Sequence, residues 1–120
     1  MSISRKEFEA LVGEALEGLP GEFAAAVDNV AVVVEDEPTD EDLEAVGLDP
    51  EMDTLFGLYQ GVALPERGLG YSGLPDRIVI YRYPILDAFD DRQVVVAEIR
   101  KTVLHEVGHY FGLEEDEIPE

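Results

Sequence analysis

Val95, Ile99, Val103, Val107 and Phe111 stand four residues apart in the last quarter of the chain. Positions four apart lie one above the next on a helix, so this run lays an apolar stripe along one side of a helix of roughly six turns. A stripe that long must be covered by something of comparable length, which makes this helix the element around which the rest is organised. Asp87, Asp90 and Asp91 precede it with acidic groups suited to a helix start. Gly112 follows it with a residue that takes the left-handed helix-ending conformation at little cost. The spacing predicts a helix over Asp91–Phe111.

The upstream sequence supplies its partners. Ser4, with Glu7 three residues later, is a capping-box signature. Phe8, Leu11, Val12, Ala15, Leu16 and Leu19 then recur at helical spacing until Pro20-Gly21 ends the run. The β-branched segment Val27–Val34 reads as a buried strand. Glu35–Asp53 is acidic and proline-bearing, a surface connection with a short helix expected over Thr39–Val46. Thr54–Leu64 and Arg77–Tyr83 are two further strands around ERGLGYSGLPD, whose glycines, serine and proline are turn chemistry, so an antiparallel pair is expected. Pro84 stops the second of them. The order helix, strand, connection, strand pair, helix predicts an α+β fold, with a small mixed sheet, a backing helix and one long C-terminal helix. No internal repeat is visible, and 120 residues fit a single domain over 1–120.

Charge excludes whole classes of partner. Eight Lys and Arg against 28 Asp and Glu leave a net charge of −20. Such a surface repels phosphate backbones and anionic headgroups, so no nucleic-acid or membrane partner is expected. It favours basic or neutral partners over a reach of about 10 Å at physiological salt, and it equally suits a salt-adapted or merely soluble protein. There is no cysteine, which removes disulfides and thiolate metal sites. The N-terminal MSISRKEFEALVGEAL lacks the apolar core of a signal peptide, and no stretch reaches the roughly 20 apolar residues that span a bilayer. A cytoplasmic location is the expectation.

The chemistry is concentrated in LHEVGHYFGLEEDEIPE. His105, Glu106 and His109 form HExxH, and these are the only two histidines in the chain. Four apart on a helix, the two imidazoles project to the same side and can reach one ion at the roughly 2.0–2.1 Å that zinc requires. Glu106, rotated off that line, suits a general base acting on water activated by the metal. Glu98, Thr102, His105 and His109 share a polar face apart from the apolar stripe, and a cleft is expected there. The bland alternative is a pair of half-buried histidines satisfied by hydrogen bonds. Beyond His109 the sequence continues as HExxHxxGxxE. A sharp turn at Gly112 would bring Glu115 back as a third ligand and leave a fourth position open to water, the catalytic arrangement. Glu114 or Asp116 would serve if the turn differs by one residue, and an acidic run of this kind is ordinarily a solvated tail.

These residues resemble the zincin superfamily, and especially the small bacterial zincin-like proteins called mini-zincins, which end soon after the motif and carry an acidic residue at the third-ligand position. The resemblance implies Zn2+ on His105, His109 and Glu115, with Glu106 as catalytic base in the hydrolysis of a peptide or protein substrate. It also implies that RIVIYRYPIL is the family's edge strand, which lines the cleft and pairs with extended substrate. The chain departs from larger relatives. Metzincins usually place histidine where Glu115 stands and carry a methionine turn downstream, whereas Met1 and Met52 both lie upstream. Gluzincins take a glutamate from a later helix, for which no room is expected here. Tyr59, Tyr71, Tyr81, Tyr83 and Tyr110 are all candidates for oxyanion stabilisation.

Two rivals follow. A zincin scaffold without turnover, acting as a metal-dependent binding or regulatory module, would account for the missing substrate-binding half; a partner chain or a second copy, as in a homodimer, would otherwise complete the cleft. A purely structural zinc site is disfavoured, because such sites are closed by four protein ligands and favour cysteine.

Overall fold

A computed structural model describes residues 2–27, 30–61, 76–113 and 117. Helix α1 spans Arg5–Glu17, and the Ser4 side chain accepts from the Glu7 backbone N–H at 3.1 Å, which is the Ser4 half of the expected capping box. Its stripe of Phe8, Leu11, Val12 and Ala15 is buried against the long helix. The side chain of Arg100, from that helix, donates to the Ala15 carbonyl at 3.2 Å, so a cation meets the carbonyl end of α1.

The strand expected over Val27–Val34 begins later. Gly21–Val27 is a second helix, α2, and strand β1 is Ala31–Glu35. The Pro20 carbonyl accepts from Ala24 at 2.8 Å to start α2, and its consecutive alanines favour helix while Phe23 and Ala26, three apart, go into the core. The β-branched run hid this boundary, because Val27 fits either element. Helix α3, Asp40–Ala45, confirms the short helix and carries a complete capping box between Thr39 and Asp42.

Strand β2 is only Gly57–Gln60, within the expected 54–64; Leu64 lies outside the described residues, as does the connecting loop as far as Pro75. Strand β3 is Arg77–Tyr81, and the chain then enters helix α4, Arg82–Ala88, instead of continuing to Tyr83. Pro84 sits in the first turn of α4, where a missing N–H breaks no helical bond. The sheet order is β1-β3-β2. β1 runs parallel to β3 with Val33 opposite Val79, and β2 runs antiparallel with Tyr59 opposite Ile78. The mixed sheet and the antiparallel pair are therefore as read.

The edge-strand expectation is corrected. β3 has a neighbour on both sides, and Ile78, Val79, Ile80 and Tyr81 are fully buried, as an unbroken apolar run demands. The strand that meets the HExxH helix and has a single strand neighbour among the described residues is β2.

Helix α5, Arg92–Tyr110, is the centre of the molecule. Asp91 caps it, accepting from the Gln93 and Val94 amides at 2.8 and 3.2 Å. Val95, Ile99, Val103 and Val107 are fully buried, each removal from water stabilising by roughly 1.5–3 kcal/mol. Phe111 meets Phe23 edge-on at 5.6 Å. α1 covers one side of α5, and β2 and β3 cover another. Burial therefore extends past the single stripe to Val96, Thr102, Leu104, Glu106, Gly108 and Tyr110. No helix among the described residues is long and apolar enough to cross a membrane.

Candidate metal centre

The last two turns of α5 carry the motif. His105 and His109 project to the same side with their rings edge to face, 4.7 Å between centroids and 81° apart. The two Nε2 atoms converge to 3.1 Å. Two nitrogens bound tetrahedrally to one zinc at about 2.05 Å stand about 3.3 Å apart, so the pair is spaced for a shared ion. Both imidazoles are half-buried and open on one side to solvent, the access an arriving ion needs.

Glu106, rotated off the line of the two histidines, is buried, only 7% exposed. Its Oε1 accepts from the Tyr59 backbone N–H at 2.9 Å, and its Oε2 lies 3.9 Å from His105 Nε2. Desolvating a carboxylate is costly unless it is hydrogen-bonded, and the amide of β2 supplies that bond. Candidate ligand atoms of His105, Glu106 and His109 lie within 4.8 Å of one another, a nitrogen and oxygen donor set that fits zinc.

Sequence reasoning missed what brings β2 to this carboxylate. Gly57 is buried where β2 crosses α5, between side chains one helical turn apart. A Cβ there would lie 2.5 Å from Thr102 Cγ2 and 3.6 Å from Glu106 Cγ. Glycine alone permits that approach, and a glycine inside an apolar strand pattern is the sequence signal that could have disclosed it. Thr102, expected on the open polar face, is buried and donates from Oγ1 to the Glu98 carbonyl at 2.8 Å.

The helix ends as its sequence requires. Gly112 adopts φ +77°, its N–H donates to the His109 carbonyl at 3.0 Å, and the Leu113 N–H donates to the Gly108 carbonyl at 2.9 Å. This paired termination fixes how the chain leaves α5 immediately after His109. Glu115, with its alternatives Glu114 and Asp116, lies outside the described residues.

The tyrosines separate clearly. Tyr81 is buried and donates to Asp42 Oδ2 at 3.0 Å; burial first, and that carboxylate second, push its hydroxyl well above the ordinary tyrosine range. It is a structural group at the end of β3. Tyr83 is exposed, with Arg82 over its ring at 4.6 Å. Tyr110 is buried edge-on to Tyr59 at 6.1 Å. Tyr59 is the one whose backbone contacts the motif, and Tyr71 lies outside the described residues.

The family model described as zincin-like metallopeptidase matches residues 27–120. Among solved structures, a conserved hypothetical protein from Thermo thermophilus is similar at 24% identity and a TM-score of 0.60, over 91% of this chain and 94% of that one. That likeness shows a shared fold. No curated protein matches the chain.

Proposed function

The chain belongs to the zincin-like metallopeptidase family, and from that premise we propose that it binds one zinc ion through His105 and His109 and hydrolyses peptide bonds with Glu106 as general base. The observation that carries this reading is the convergence of the two Nε2 atoms at 3.1 Å beside a buried, anchored carboxylate. Zinc, when bound, supplies Lewis acidity that polarises a scissile carbonyl and acidifies water. The residues do the rest. The imidazoles hold the ion, and Glu106, its Oε2 on the imidazole side, takes a proton from the attacking water and returns it to the leaving amine. Glu115 is proposed as third ligand, in competition with Glu114 and Asp116. The substrate is a peptide or protein, with no role for nucleic acid or membrane, and the protein acts in the cytoplasm.

Glu106→Gln separates chemistry from metal binding. Its amide oxygen can still accept from Tyr59, so zinc content and fold should be kept, while cleavage of a mixed peptide pool falls by about two to four orders of magnitude. Equal cleavage by the variant and the wild type would overturn the base assignment. A second reading is a zincin scaffold used for metal-dependent binding without turnover. On that reading the zinc-loaded wild type cleaves nothing in a broad peptide library, and a partner chain or a second copy supplies the missing wall.

A further inference from the structure

Glu106 is held from a strand 47 positions earlier in the sequence, and that strand approaches α5 closely at Gly57. Gly57 lies over the Thr102–Glu106 turn of α5, and two residues on, the Tyr59 N–H reaches Oε1 at 2.9 Å. A methyl group at Gly57 would meet Thr102 Cγ2 at 2.5 Å, closer than side-chain carbons approach, whereas its contact with Glu106 Cγ at 3.6 Å would be ordinary. The Val79 carbonyl oxygen of β3, at 3.2 Å, would be a lesser obstruction, and the severe one is a single methyl group of Thr102. That side chain is buried and tied through Oγ1 to the Glu98 carbonyl, so it cannot swing aside without losing its hydrogen bond.

We propose that Gly57 and Thr102 are positioning residues: their contact sets the height of β2 over α5, so that the Tyr59 amide fixes Oε1 of Glu106 and presents Oε2 toward His105 as the proton-accepting oxygen. The division of labour between the two oxygens rests on the zinc-hydrolase reading above, whereas the clamp itself does not. Charge-assisted bonds from a backbone N–H to a carboxylate are short and directional, so a shift of β2 by a few tenths of an ångström changes the carboxylate's aim before it unfolds anything. β2 is also bonded to β3, with Gly57 opposite Ile80, so an added methyl group cannot be absorbed by moving residue 57 alone.

The test uses the full chain labelled with ¹⁵N, comparing wild type, Gly57→Ala, Thr102→Ser, the double variant and Glu106→Gln. The Tyr59 amide proton reports the bond directly, by its downfield shift and its exchange with solvent. Gly57→Ala should move it upfield and speed its exchange by about tenfold or more, as a loosened bond to a charged group requires. Glu106→Gln should move it upfield by removing the charge. Thr102→Ser deletes Cγ2 and keeps the hydroxyl, so adding it to Gly57→Ala should return the signal toward wild type. A folded Gly57→Ala protein with an unchanged Tyr59 signal would overturn the clamp, and so would a double variant displaced as far as the single one. If Gly57→Ala does not fold, the double variant decides: a native Tyr59 signal supports the contact, and failure to fold refutes it. Zinc affinity, measured on the same samples, should be alike in wild type and Gly57→Ala. Absence of zinc binding by the wild type would sink the hydrolase reading and leave the Tyr59 result standing.

Discussion

Zinc binding should be visible as stability, without any substrate. If the ion binds the folded pair His105–His109, free zinc at a hundredfold above Kd stabilises the native state by about 2.7 kcal/mol. For 120 residues, an unfolding entropy near 2.1 cal/mol/K per residue amounts to about 0.25 kcal/mol/K, so the melting temperature should rise by about 10 °C. The perturbation that isolates this effect is His105→Ala. The His105 side chain is 39% exposed and lies off the buried stripe of α5, and alanine is the better helix former. Without zinc the variant should therefore melt within about 2 °C of wild type, a surface-sized change of about 0.5 kcal/mol. With zinc it should lose most of the increment. Calorimetry or circular dichroism in physiological salt reads both numbers, and the salt matters: 28 acidic residues hold divalent ions loosely, and screening over about 8 Å suppresses such sites more than a directly ligated one. An equal zinc-induced rise in His105→Ala and wild type would refute the histidine site and assign the effect to the acidic surface.

Glu115→Ala should weaken zinc binding by roughly tenfold or more, with Glu114→Ala and Glu117→Ala nearly silent in the same titration; equal losses from all three would mean that only tail charge matters. Tyr81→Phe removes the hydroxyl bond to Asp42 and should cost about 1 kcal/mol in chemical denaturation near neutral pH. Because folding raises the Tyr81 pKa, the native state keeps a proton that the unfolded chain loses above about pH 10, so stability should fall as pH rises past that value and fall less in Tyr81→Phe. An equally steep alkaline limb in the variant would remove Tyr81 as the cause. With a net charge of −20, raising NaCl from about 0.05 to 1 M should increase the melting temperature of the metal-free protein through screening; a flat response would show that the acidic groups repel too weakly to matter.

Periodicity disclosed what periodicity can. The four-residue repeat from Val95 to Phe111 set α5 to within a residue at each end, and Asp91 and Phe111 are the caps. The two-histidine motif and the Gly112 termination were equally legible, because their geometry is fixed within one helix. Failures came where the deciding contact lies far along the chain. β3 could not be recognised as central from RIVIYRY alone, since that depends on β1 pairing parallel to it across the intervening residues. The burial of Thr102 and Glu106 depends on β2, which covers a side of α5 that the valine stripe does not mark. The Tyr59 anchor was invisible in principle to any side-chain pattern, because its donor is a backbone amide.

On the proposed zinc-hydrolase reading, the contrast between half-open imidazoles and a buried carboxylate follows from what each group would have to do. An ion arrives from water, so its nitrogen ligands must remain reachable. Helix geometry alone suffices to bring them to 3.1 Å. A general base must keep its orientation through proton transfer, and a glutamate on an open helix face would spread over several rotamers. Burying it against β2 removes that freedom, and the amide bond offsets the desolvation that burial imposes. The base is therefore only as well aimed as the seam between α5 and the sheet is tight. The same core valines that hold α5 against α1 and β3 also hold Glu106 against Tyr59. On this reasoning a cavity-forming change such as Val103→Ala, on the core stripe one helical turn before Val107, should disturb the carboxylate's aim more than the histidine spacing, since the latter is internal to the helix and the former spans two elements.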